Sequence, residues 1–172
     1  MRSTIKIVIL LFFICSSMSG ASFPDMEKYM RQHALIWEQL PMQWNEGAFL
    51  GNGLVGMMVY ADSTLNALVF HLGRPDVTDH RKAPYRKTSI GTEEADKMVD
   101  FCRLDVGKML LFPEGKILSG TFYLDIYNAE LTGHLKTDKG DLTFHAYTPQ
   151  PEEVNIVEVS SGVPYRWKGI PG

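Results

Sequence analysis

A strict period-two alternation on either side of one glycine-containing turn constrains this chain more than any other feature. Leu131, Gly133 and Leu135 alternate with Glu130, Thr132, His134 and Lys136. Beyond Asp138, Lys139 and Gly140, the small or apolar Leu142, Phe144 and Ala146 alternate with Thr143, His145 and Tyr147. Successive side chains of a strand point to opposite faces, whereas a helix repeats every 3.6 residues. The pattern therefore predicts an antiparallel hairpin, Ala129 to Thr137 and Asp141 to Thr148, with one buried and one solvated face.

Other segments extend this reading. Apolar strands are predicted over Leu54 to Tyr60 and Asn66 to Leu72, separated by a turn at Ala61 to Thr64. Further strands are predicted over Arg103 to Leu111, Thr121 to Tyr127 and Val154 to Ser160. Several short strands at this spacing predict an all-β antiparallel sandwich. Before it, Met26, Met30, His33 and Ala34 recur at helical spacing within Pro24 to Leu35, and a strand is expected from Ala34. Pro164 to Gly172 carries no strand pattern and no closing element, and the chain is expected to be a fragment or the product of an early stop.

Residues 1–21 read as a secretory signal peptide. Arg2 and Lys6 precede the apolar run Ile7 to Cys15, and Ser19, Gly20 and Ala21 offer small residues for cleavage. A lipoprotein signal acylated at Cys15 is the alternative, with Ile14 a poor fit before it. The mature domain is then 22–172, about one domain by length. Export to the periplasm or the extracellular space is expected, with no membrane contact after cleavage. Losing Arg2 and Lys6 moves the formal net charge from −3 to −5, which argues against nucleic acid as a partner. Cys102 would be left alone in an apolar context, as a buried thiol that cannot form an intramolecular disulfide.

The richest chemistry lies at the end of the second apolar strand, in His71, Arg74, Asp76, Asp79, His80 and Arg81. Three readings fit. The plainest is a solvated loop with internal Arg–Asp pairs. Sugar contacts are the second, because these groups engage hydroxyls in directional pairs. A metal site is the third, although the spacing matches no strong metal motif. Pro75 to Asp96 is expected to form a long surface loop. Gly51, Asn52 and Gly53 lack the residues of a phosphate cradle and read as a tight turn. Carboxylates suited to glycoside hydrolysis include Glu46, Asp76, Asp79, Glu93, Glu94 and Asp125, which no sequence spacing pairs. Asp125, inside an apolar strand, reads as structural. Trp37, Trp44 and Trp167 are either core residues or sugar platforms. No cofactor fingerprint is found, and no metal is assigned.

Several of these segments in order resemble the N-terminal region of glycoside hydrolase family 95 and related exported bacterial proteins. The resemblance rests on Trp37, Pro41, the turn Leu50 to Gly53, Gly56, the strand Val69 to Leu72 with its polar loop, and Leu124 to Ala129 followed by glycines at 133 and 140. It covers most of Trp37 to Ser161. The polar loop from Arg74 to His80 departs from the family's sequence, and no catalytic residue of the family falls on a matched position. The resemblance implies a supersandwich-like β-domain, here incomplete, that precedes an (α/α)6 catalytic barrel cleaving α-L-fucosyl or α-galactosyl linkages. It implies a carbohydrate substrate, the barrel as partner, and an inactive chain without it. His71, Arg74, Asp76, Asp79 and Arg81 are then the expected substrate contacts. A stand-alone carbohydrate-binding module is the alternative.

Overall fold

The computed structural model describes residues 25–78 and 103–172. Ala34–Gly172 forms a compact unit, and its described residues contain ten strands. These are β1 (Leu35–Trp37), β2 (Ala48–Gly51), β3 (Gly56–Asp62), β4 (Ala67–Gly73), β5 (Gly107–Pro113), β6 (Ile117–Asp125), β7 (Glu130–Thr137), β8 (Asp141–Tyr147), β9 (Ile156–Ser161) and β10 (Tyr165–Pro171). All pairings between them are antiparallel. One sheet runs β1-β6-β7-β8-β9 and the other β10-β5-β4-β3-β2, so the predicted all-β sandwich is the observed fold. The chain changes sheet after β1, β5 and β9. The short helix α1 (Met26–Arg31) begins where Asp25 accepts a hydrogen bond from the Lys28 amide (3.2 Å). No helix among the described residues is long and apolar enough to cross a membrane.

The two sheets share one core, and its centre is aromatic. Phe122 and Phe144 meet edge to face with ring centroids 5.5 Å apart. Phe144 meets Phe70 of the opposite sheet at 5.5 Å, and Phe70 meets Trp167 at 5.5 Å. Trp37 abuts Phe122 at 6.5 Å. Edge-to-face contact suits the ring quadrupoles. Gly133 makes the cluster possible: it lies between Phe122 and Phe144 in the cross-strand register, and a Cβ there would fall inside the Phe144 ring. The glycine in the alternating pattern is thus the place where an aromatic ring crosses β7. Val69 and Leu110 point to the face opposite this core and are also buried. That explains why β4 reads as a continuous apolar run rather than an alternation.

Strand boundaries depart from expectation where side chains cap turns. Asn52 Oδ1 accepts hydrogen bonds from the Leu54 and Val55 amides (both 3.0 Å), which holds these residues in the turn and delays β3 to Gly56. Asp125 Oδ1 accepts from the Tyr127 and Asn128 amides (2.9 and 3.3 Å), ending β6 two residues early. This gives Asp125 the structural role its sequence context indicated. The expected absence of structure after Pro164 is wrong. β10 pairs with β5 through seven residues from Tyr165 to Pro171. Most of its side chains are exposed, and a strand held by backbone pairing at a sheet edge has no apolar face to display in its sequence.

Gly133→Ala is expected to cost about 1–3 kcal/mol by overpacking, read as a lower urea midpoint at an unchanged m-value. A stability equal to wild type would show that the Phe144 ring shifts freely.

Candidate functional site

The outer face of the second sheet carries a row of side chains in register: Phe49 on β2, Met58 on β3, His71 on β4 and Lys108 on β5. His71 is therefore held by a central strand rather than by a loop. Its Nε2 donates to Asp105 Oδ1 at 2.8 Å, and Asp105 Oδ1 also accepts from the Gly107 amide at 3.0 Å. Burial pushes the Asp105 carboxyl up. The hydrogen bonds from His71 and Gly107, with the nearby positive charge of Lys108, outweigh it and hold Asp105 below its ordinary value.

Arg74 follows directly on β4. Its Nε and Nη2 donate to the two oxygens of Asp76 (2.6 and 3.0 Å), and its Nη1 donates to Glu153 Oε2 (2.5 Å). The bidentate fork fits a carboxylate. The hydrogen bond from Arg74 lowers the Asp76 pKa despite an opposing effect of burial. The internal Arg–Asp pair foreseen for a solvated loop is thus present. It also reaches Glu153, in the β8–β9 connection of the other sheet. Thr78 and Arg103 form a bridge, and the Leu104 amide donates to the Val77 carbonyl (3.0 Å).

A second tie between the sheets escaped the sequence reading. Asn52 Nδ2 donates to the carbonyls of Pro149 (2.8 Å) and Glu152 (2.7 Å), while its Oδ1 accepts the two turn amides. Gln150 Nε2 donates back to the Asn52 carbonyl (2.5 Å). The glycine-framed turn has the expected left-handed glycine at Gly53 (φ 91°). Its asparagine uses Nδ2 and its backbone carbonyl to hold the β8–β9 connection, and Oδ1 to hold its own turn. An asparagine between glycines was the available signal, but its partners lie about a hundred residues away.

Between these ties lies an open groove of about 990 Å³. Trp44, Phe49 and Leu54 supply its apolar walls, and His71, Arg74 and Asp105 its polar ones. Trp44 and Phe49 are 63% and 57% exposed. Trp44 is presented by a 3-10 turn (Trp44–Glu46), whose Glu46 carbonyl accepts a 2.9 Å hydrogen bond from Trp37 Nε1. Trp37 and Trp167 pack with the core. Of the three tryptophans, only Trp44 is available as a platform.

His71 and Arg74 thus come together on the groove, and Asp76 joins through Arg74. Asp79, His80 and Arg81 lie outside the described residues, as do Cys102, Glu93, Glu94 and most of the stretch expected to form the long loop. Asp76 and Asp125 are both engaged in structural hydrogen bonds. Among the described residues, no group of three or more His, Cys, Asp or Glu side chains converges as a metal site. Compared with known proteins, the chain matches no family model and no curated sequence. What the groove presents is chemistry for binding: exposed rings beside directional hydrogen-bonding groups.

Two predictions test the ties. Asn52→Ala leaves two carbonyls without their donor and is expected to cost about 1–3 kcal/mol, measured by urea unfolding; no loss would mean water replaces the amide fully. Asp76 and Asp105 titrate below the unfolded carboxylate value of about 4. Their stabilisation is therefore full above about pH 4 and is lost as pH falls through their lowered folded values. Asp76→Asn should flatten the acid limb of the Tm–pH curve. An acid limb unchanged from wild type would show that the Arg74–Asp76 pair contributes nothing.

Proposed function

We propose that the chain is the N-terminal β-sandwich segment of an exported glycoside hydrolase, acting on α-L-fucosyl or α-galactosyl linkages through a catalytic (α/α)6 barrel outside this sequence. The observation that carries the reading is the groove, where two exposed aromatic rings stand beside His71, Asp105 and Arg74. Sugars present apolar ring faces and a rim of hydroxyls, and these are the surfaces such side chains complement. The ordered segments shared with family 95 supply the glycosidase part of the proposal. The leader-like residues 1–21 supply export. His71, Arg74 and Asp76 act in binding or in shaping the groove, and the chain by itself performs no hydrolysis.

A stand-alone carbohydrate-binding module is the second reading. The exposure of Trp44 and Phe49 favours it, because a binding module needs its platform open to solvent. The DNA following the codon for Gly172 separates the two: a coding helical repeat supports the hydrolase, and a stop codon followed by a new gene supports the module.

With the groove as the carrying observation, both readings place a glycan in it. Trp44→Ala and Phe49→Ala should each weaken binding of neutral fucosylated or galactosylated oligosaccharides, by about tenfold for a lost stacking contact of 1–2 kcal/mol. Titration calorimetry on the purified chain is the measurement, and unchanged affinity in both variants would sink the groove as the glycan site.

A further inference from the structure

Among the described residues, nothing requires Gly73, the last residue of β4, to be glycine. Its φ is not left-handed, and a Cβ built on it meets nothing within 4 Å among the described residues. Its cross-strand neighbours differ. A Cβ on Gly56 would press on the Leu50 carbonyl at 2.8 Å, and one on Gly51 on the Val55 carbonyl at 3.2 Å. Gly56 is required by packing and Gly51 is tight, while among the described residues Gly73 leaves open space on the groove it lines. A glycine within a strand weakens it, and often marks a close approach by a ligand.

The groups around that space define the ligand. Asp105 takes the Nε2 hydrogen of His71, so a neutral His71 carries its lone pair on Nδ1, which has no partner among the described residues. That nitrogen is an acceptor for a hydroxyl. Three basic side chains (Arg74, Arg103 and Lys108) stand with three carboxylates (Asp76, Asp105 and Glu153), so the described surroundings carry no net charge. Phe49 lies on the same face, two strands away in the row of His71. We infer that the groove seats one pyranose ring of an uncharged glycan against the bare backbone at Gly73, with a sugar hydroxyl donating to His71 Nδ1 and the ring bordered by Phe49. The inference rests on the glycan reading above and adds the ring's position, the acceptor and the absence of ligand charge.

Gly73→Val tests it. The side chain enters open space and favours the strand, so the Tm should be unchanged or higher. Affinity should nevertheless fall at least tenfold, by titration calorimetry with neutral fucosylated and galactosylated oligosaccharides and with an oligogalacturonate as the anionic probe. Loss of neutral-glycan binding at retained Tm supports the seat. Wild-type affinity in Gly73→Val, with binding lost in Phe49→Ala, overturns the seat and leaves the glycan reading standing. Preference for the oligogalacturonate overturns the uncharged ligand. No binding of any probe by the wild-type chain overturns both the seat and the reading it rests on. If Gly73→Val loses Tm, Gly73→Ala replaces it with the same expected outcomes.

Discussion

The sandwich depends on the contact of Phe144 with Phe122 and Phe70 above Gly133. Two sheets can bury a common core only if side chains from both inner faces interdigitate at about 10 Å separation. Here one ring from the first sheet reaches Phe70 of the second, and it has room only because β7 has no side chain at position 133. Trp37 and Trp167 extend the cluster toward strands at the edge of each sheet. The register of β6, β7 and β8 is fixed by the same contact, since a slip of one residue would turn Phe144 to solvent.

That core has consequences at the groove. With the sheets set face to face, the β2–β3 turn and the end of β4 both approach the β8–β9 connection, the first joined to it by Asn52 and Gln150 and the second by the Arg74–Glu153 pair. The strand register then places Phe49, Met58 and His71 in one row on the outer face. Trp37 belongs to both systems: its ring packs on Phe122, and its indole nitrogen holds the turn that presents Trp44. The groove is shaped by residues whose first task is to hold the fold. Arg74 and Asp76, chosen from the sequence as contacts for a substrate, are engaged with each other.

The legible parts of the sequence were those with a period. The β7–β8 hairpin followed directly from alternation, and β4 from its apolar run. Gly53 in its turn was also readable, because it acts within a few residues of itself. β10 was not, because an edge strand with exposed side chains is specified by the backbone of β5. The starts of β3 and β5 and the end of β6 shifted because capping by Asn52, Asp105 and Asp125 respectively competes with strand pairing at the ends of apolar runs.

The sequence by itself determined the all-β class, the antiparallel hairpin and the concentration of polar groups after β4, since alternation and composition are local properties. Only the tertiary structure decided that Gly133 yields to an aromatic ring, that Asn52 reaches a connection about a hundred residues away, and that Trp44, Phe49 and His71 share a groove while Trp37 and Trp167 do not. The physical reason is the same in each case. These are contacts between segments distant in the chain, fixed by how two sheets pack, and no local pattern of residues encodes which distant segment will be met.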